Sequence, residues 1–343
     1  MTTIGNAGVD QRLTQAPHDA RPTRLRRTAT LRGLVRETSL DVSALIQPLF
    51  VVPGRGIARE TDGLPGIRHL SADEAFQSEV SRLVSRGIRS VLLFGLASSK
   101  DPIASESFAD DGAVQRAVRL LRQHFDDLLI ITDVCCCAYT SHGHCGLLSG
   151  GTIEPESTVE LLARIAVSHA EAGADLVAPS AMADGMVRGI RGALDEAGYH
   201  DRGILSYAVK YASAFYGPFR DAANSAPAFG DRGRYQMDPA NRREALREAA
   251  LDEAEGADLL MIKPALAYLD VIAEVRAKTT LPIVAYNVSG EYAMIKAAAA
   301  SGWLDERAAV LESLTSIRRA GADAIVSYHA NDVAGWLQPG HGR

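Results

Sequence analysis

Four cysteines, all that the chain contains, fall within residues 135–145. Cys135, Cys137 and Cys145 stand in the spacing C-x-C-x7-C, with Cys136 between the first pair and His142 and His144 close by. Soft thiolates gathered in one loop suit zinc. Three of them leave a fourth tetrahedral position open, which separates a catalytic zinc from a structural one. Three other readings stay open on residue types alone. His142 or His144 could complete a structural zinc, Cys135 and Cys137 could form a dithiol switch, or the thiols could be inert and buried. So tight a cluster is not a disulfide framework.

Two lysines carry a second chemistry. The chain has five lysines, and Lys210 and Lys263 close the apolar runs SYAVK and LLMIK, where an ammonium is expensive. On adjacent strands, about 4.8 Å apart, each would disfavour the other's charge and free an amine for attack on a ketone. One strand-end lysine is usually a snorkelling residue or half an ion pair; two side by side point to a site. Residues 211–238 are too long for an ordinary connection and rich in Gly, Ala and aromatics, which suits a lid or a disordered loop. On that loop Arg220, Arg232 and Arg234 are either solvated or a bidentate clamp for a carboxylate. Asp133, Tyr139, Ser180, Tyr207, Gln236, Ser289 and Tyr328 are weaker signals singly.

The elements that must position these groups are legible as eight apolar runs: 47–52, 90–95, 128–135, 176–180, 203–210, 259–264, 282–288 and 324–329. Helical-period segments lie between them, near 71–86, 111–125, 156–172, 184–197, 239–255, 266–278, 290–301 and 305–320. Ser71 with Glu74 has capping-box spacing, and Asp238-Pro239 reads as an N-cap followed by a first helical residue. Gly-Ala-Asp recurs at 173–175, 256–258 and 321–323, each time as a left-handed helix stop before a strand. This order predicts an α/β fold, a (β/α)8 TIM barrel over residues 46–343, with 211–238 as its lid. No G-x-G-x-x-G follows the first strand, which argues against a dinucleotide fold. In a barrel the strand C-termini share one mouth, so the cysteine loop, Asp133, Ser180, Lys210, Lys263 and Tyr328 should meet there.

Net charge is −6, which argues against nucleic acid as a partner. No apolar run approaches 18 residues and no secretory signal is present, so neither a membrane span nor export is expected, and a reducing cytoplasm suits the free thiols. The first 36 residues hold seven arginines against Asp10 and Asp19. Residues 1–45 read as an N-terminal extended arm, with 1–20 mostly disordered and 21–45 lying on a neighbouring subunit; the alternative is a solvated basic tail.

DVCCCAYTSHGHCG, SYAVKYASAFYGPFRDAANSAPAFGDR, MIKPALAYLD, YNVSGEYAM and the final SYH together resemble the porphobilinogen synthase (5-aminolevulinic acid dehydratase) family, in order, from about Arg24 onward. The resemblance implies condensation of two 5-aminolevulinate molecules to porphobilinogen. It implies that Lys263 forms a Schiff base with the first molecule and Lys210 with the second, that Cys135, Cys137 and Cys145 ligate a catalytic zinc, and that Asp133 works beside the lysines. Ser180, Tyr207, Arg220, Arg232, Gln236, Tyr286, Ser289 and Tyr328 would contact substrate, and Glu248 would hold an allosteric magnesium through water. The family assembles as a homo-octamer whose arms embrace neighbours. This chain departs from the family pattern at Ala181, Met186, Cys136, Ala138 and Ala265, none of them a proposed catalytic group. Alternatives are a class I aldolase, which needs neither thiolate zinc nor a second lysine, and a thiol- or zinc-based redox sensor.

Overall fold

A computed structural model describes residues 21–338; the expected disorder of 1–20 lies outside that range. The chain divides into two compact units, one ending at Ser39 and one beginning at Leu40. In the first, a 3-10 turn at Pro22–Arg26 precedes a helix at Ala29–Leu34. The Thr28 hydroxyl accepts from the Leu31 N–H at 3.1 Å and starts that helix. Leu34 is 80% exposed.

The second unit is a closed parallel barrel. Its strands are β1 (Leu45–Val52), β2 (Ser90–Gly95), β3 (Leu129–Val134), β4 (Leu176–Pro179), β5 (Gly203–Lys210), β6 (Leu259–Lys263), β7 (Ile283–Asn287) and β8 (Ala324–Ser327). Each pairs with the next, and β8 returns to β1 through Leu45–Ile325 and Ile46–Val326. All eight expected strands are present within two residues of their sequence bounds. Helices α1 (Glu74–Ser85), α2 (Ala113–His124), α3 (Pro155–Ala172), α4 (Met186–Glu196), α5 (Arg243–Glu255), α6 (Leu269–Arg276), α7 (Ser289–Ala300), α8 (Glu306–Arg319) and α9 (Ala330–Leu337) surround it. One apolar cluster fills the interior with residues such as Phe50, Leu92, Ile131, Tyr207, Met261 and Tyr286. A second, including Val91, Ile130, Val177 and Ile262, packs the strands' outer faces against the helices. The alternation of side chains along each strand creates these two layers.

Two helix starts differ from expectation. Asp73, not Ser71, caps α1 by accepting from the Ala75 N–H at 3.0 Å, while Ser71 ends a short strand and donates to Asp73 at 2.6 Å. Asp238 accepts from Ala240, but the chain turns again before α5 begins at Arg243. A local cap signal therefore marks a turn without fixing where the helix follows. Gly173, Gly256 and Gly321 do adopt φ of 108°, 106° and 117°. The aspartate after each does more than its position suggested: Asp175, Asp258 and Asp323 accept from Ile130, Ile204 and Ile283 at 2.7, 2.7 and 2.8 Å. Each carboxylate thus fastens the start of the preceding barrel strand.

Candidate active site

Lys210 and Lys263 are paired residues across the β5–β6 ladder. A bulge makes this so. Leu260 pairs with Ser206 but Ile262 with Val209, so β5 carries one extra residue opposite Met261. Ala208 and Val209 both pack outward, and the strand then turns Lys210 onto the inner face, where strict alternation would have turned it out. Both ammonium groups lie over the Tyr207 ring, at 5.6 Å from Lys210 and 5.1 Å from Lys263. Lys263 also lies 5.1, 5.0 and 4.4 Å from the rings of Tyr216, Phe219 and Tyr286. This dry aromatic box pushes its pKa down to about 7, with the neighbouring Lys210 charge adding to the effect of burial. Burial likewise lifts Asp133 to about 6, against the pull of both lysines.

The cysteine loop follows β3. Among the described residues the Sγ atoms of Cys135, Cys137 and Cys145 form a ligand set whose members lie within 4.8 Å of one another, all buried. Hydrogen bonds from Cys135 and Cys137 hold Cys145 well below the ordinary thiol range, helped by the charges of Arg232 and Lys210. A cluster that stabilises one thiolate this way accommodates three only around a cation, and its softness suits zinc. His144 is not a fourth ligand. Its Nε2 meets the Phe229 carbonyl at 3.0 Å and its Nδ1 the Tyr235 hydroxyl at 3.2 Å, so both nitrogens are engaged. Nor does His142 fall within the group of converging ligand atoms, so the donor set is three sulfurs.

Asp133, Cys135, Cys137, Ser180, Lys210, Lys263, Arg220 and Arg232 line one cavity. Residues 211–238 cover it, supplying Tyr216, Phe219, Arg220, Ala223 and Arg232 to its wall, with the ends of the segment joined by the Tyr211–Met237 bridge and its middle a helix, Gly217–Ala222. With this segment in place the cavity is small, about 30 Å3, room for about two waters and not for a substrate. Several polar atoms are buried without a partner, on the cavity wall Asp133 Oδ1, Arg220 Nε and Arg232 Nε, and away from it the Tyr207 hydroxyl and both amide atoms of Gln236. Orphaned groups of this density mark a binding site.

Seven expected residues lie off the cavity wall: Cys145, Tyr207, Gln236, Glu248, Tyr286, Ser289 and Tyr328. Tyr328 bonds the Tyr286 hydroxyl at 3.2 Å from deeper in the barrel. Ser289 is held by the lid, accepting from the Phe219 N–H at 3.0 Å and donating to the Phe215 carbonyl at 3.2 Å. Gln236, though buried, borders a separate cleft, which Glu248 shares with Asp184. Burial raises the Glu248 pKa, with the Asp184 carboxylate adding to it. Sequence reasoning passed over Tyr216, Phe219 and Glu291. The first two lie inside the lid segment, where their aromatic character was visible but their target was not. Glu291 is buried and accepts from the N–H groups of Leu266 and Val288 at 2.8 and 2.9 Å and from the Asn287 amide at 2.9 Å, fixing the chain just beyond Lys263.

A family model for delta-aminolevulinic acid dehydratase matches residues 19–336. Delta-aminolevulinic acid dehydratase of Halalkalibacterium halodurans is 55% identical over 314 residues, spanning 92% of this chain and 95% of that one. The enzyme of the same name from Methanothermobacter thermautotrophicus is 57% identical, over 91% of this chain and 95% of its own. A crystal structure of the Toxoplasma gondii delta-aminolevulinic acid dehydratase (porphobilinogen synthase), in complex with the reaction product porphobilinogen, superposes with a TM-score of 0.91. It shares 47% identity, covering 94% of this chain and 92% of that one. The paired lysines, the thiol cluster and these likenesses converge: the chain is an enzyme and belongs to the delta-aminolevulinic acid dehydratase (porphobilinogen synthase) family.

Proposed function

We propose that this chain condenses two 5-aminolevulinate molecules into porphobilinogen through imines on Lys263 and Lys210. The observation that carries the reading is the register of these two lysines, side by side over one tyrosine ring. Lys263, its amine about half free near neutral pH, attacks the first ketone; the carbonyl oxygen leaves as water and a C=N bond forms at Nζ. Lys210 captures the second ketone in the same way, and its iminium acidifies the adjacent carbon. Asp133, with its pKa near 6, is a carboxylate at working pH and takes the proton from that carbon. One C–C and one C–N bond then join the two molecules, both ketone oxygens having left as water, and both lysines return to free amines.

Cys135, Cys137 and Cys145 hold zinc, which when bound supplies positive charge that keeps a substrate amine unprotonated. Arg220 and Arg232, on the lid and with unpartnered Nε atoms, grip one substrate carboxylate, assisted by Gln236. Ser289 and Tyr328 grip the other; Ser289 does so only by releasing the Phe215 carbonyl, which ties that contact to lid movement. The seated lid excludes water, so the imines survive. Magnesium held through water at Glu248, a homo-octamer with embracing arms and a cytoplasmic site of action complete the proposal on the strength of the family resemblance. No helix among the described residues is long and apolar enough to cross a membrane.

Borohydride reduction in the presence of 5-aminolevulinate, followed by peptide mass spectrometry, tests the core of this reading. The expected result is a reduced adduct on Lys263, joined by one on Lys210. No adduct on zinc-loaded protein would sink it.

A further inference from the structure

The lid is fastened at several places, among them the Ala222 carbonyl to His69 and the Asn224 carbonyl to Lys100, and one fastening lies on the cysteine loop. Its first half seats on the start of α7, through the Ser289 bonds and through Gly290, where a Cβ would lie 2.6 Å from the Phe215 carbonyl oxygen. Its second half runs along residues 142–144. The Ala228 N–H donates to the His142 carbonyl at 3.0 Å. Arg232 Nη2 donates to the Gly143 carbonyl at 3.0 Å and also to that of Ser225. A Cβ on Gly143, whose φ is 71°, would overlap the Ala226 carbonyl, so only glycine lets the two backbones lie this close.

His144 is the one side chain of the loop that binds the lid through both of its polar atoms. A carbonyl only accepts, so Nε2 carries the proton given to Phe229, and Nδ1 then accepts from the Tyr235 hydroxyl. The ring also packs 4.8 Å from that of Phe229. His144 is buried, and the next residue is Cys145.

We propose that His144 is a positioning residue, a latch that joins the thiol loop to the second half of the lid so that metal loading and lid closure are coupled. The inference rests on the reading of Cys135, Cys137 and Cys145 as zinc ligands, but not on the identity of the substrate. When the three sulfurs converge on one cation, Cys145 fixes the backbone that carries His144, and the ring presents both nitrogens to the lid. When the cation is withdrawn the backbone at residues 142–145 loosens and the latch goes with it. Arg232, held by the same loop, then leaves the cavity wall.

The test is limited trypsin cleavage within the lid, after Arg232 and Arg234, on the full chain with one zinc bound and again after chelation. Two hydrogen bonds worth about 1 kcal/mol each correspond to a roughly tenfold to thirtyfold change in the opening equilibrium. Wild-type protein should be cleaved about that much faster without zinc. His144→Phe, which keeps an aromatic ring but no polar atoms, should be cleaved at the fast rate with zinc bound, and chelation should add little. His144→Gln, which keeps a donor for Phe229, should recover part of the protection. Tyr235→Phe removes one hydrogen bond from the latch and serves if His144→Phe does not fold; roughly fivefold faster cleavage is expected. In turnover, the loss should fall on KM more than on kcat at saturation, since the closed lid forms only less often. Equal cleavage of wild type and variants with zinc bound would overturn the latch, as would a wild-type rate that ignores chelation. Lid protection that depends on His144 in a protein that makes no porphobilinogen would leave the latch standing and overturn the proposed reaction instead.

Discussion

The lysine side and the cysteine side of the cavity obtain their reactivity by opposite means. Lys210 and Lys263 project from paired β-strands, and their environment is finished once the barrel closes and the first half of the lid seats: aromatic rings and a neighbouring charge make the Lys263 amine a weak base. Cys135, Cys137 and Cys145 sit on a loop, and their environment is unfinished, since three buried thiols favour one negative charge until a cation joins them. A barrel strand can bear a strained charge because its backbone is held on both sides. A loop gains comparable order from a ligand and, here, from the lid. The lysine half should therefore work as a fixed chemical device and the cysteine half as a conditional one.

The largest expected effect breaks the fixed half. Lys263→Ala removes the amine on which the first imine forms, and turnover should fall roughly a thousandfold or more, with the borohydride adduct gone from that peptide. Residual activity above a few per cent would mean that Lys210 alone suffices. Next comes the conditional half. Cys145→Ser should abolish stoichiometric zinc, measured by metal analysis, and lower turnover by at least about a hundredfold. The adduct on Lys263 should nevertheless still form, because Tyr207 and Tyr286 belong to the barrel and Tyr216 and Phe219 to the half of the lid that seats on Ser289, away from the loop. Loss of that adduct in Cys145→Ser would show that the two halves are one.

A pH series sharpens the same contrast. Lys263 has its pKa lowered to about 7, so the free amine predominates above that pH and is lost as pH falls through it. The rate of borohydride trapping should drop about tenfold one unit below the midpoint. Lys210→Met removes the repelling charge, so the midpoint should move upward and trapping at pH 7 should slow. A midpoint unmoved in that variant would leave burial alone as the cause.

How much of this was legible in the sequence follows from how local each signal is. The eight strands and the three Gly-Ala-Asp stops were visible because apolar runs and left-handed glycines are properties of a few consecutive residues. The convergence of Asp133, Ser180, Lys210 and Lys263 followed from barrel geometry once the strands were counted. The inward turn of Lys210 was not legible: alternation from Leu205 and Tyr207 puts it outside, and only the pairing with β6 reveals the extra residue. The aromatic box around Lys263 was equally hidden, because Tyr216 and Phe219 reach it by the folding back of the lid. His144 stood in view as a candidate metal ligand; its true partners lie 85 and 91 residues away, beyond the reach of spacing.

The smallest expected effect concerns groups far from the reaction. Asp258 accepts from the Ile204 N–H at 2.7 Å at the opposite end of β5 from Lys210, and Asp175 and Asp323 make the same bond on β3 and β7. Asp258→Ala leaves that N–H without its carboxylate partner, which should cost about 1–2 kcal/mol and lower the melting temperature by a few degrees. Turnover at 25 °C should stay within about twofold, since β5 is still held by β4 at Gly203 and Ile204 and by β6 from Leu205 to Lys210, and the register that sets Lys210 beside Lys263 is fixed at its other end. A loss of turnover much larger than the loss of stability would mean that the N-terminal fastening, and not the bulge alone, governs where Lys210 points.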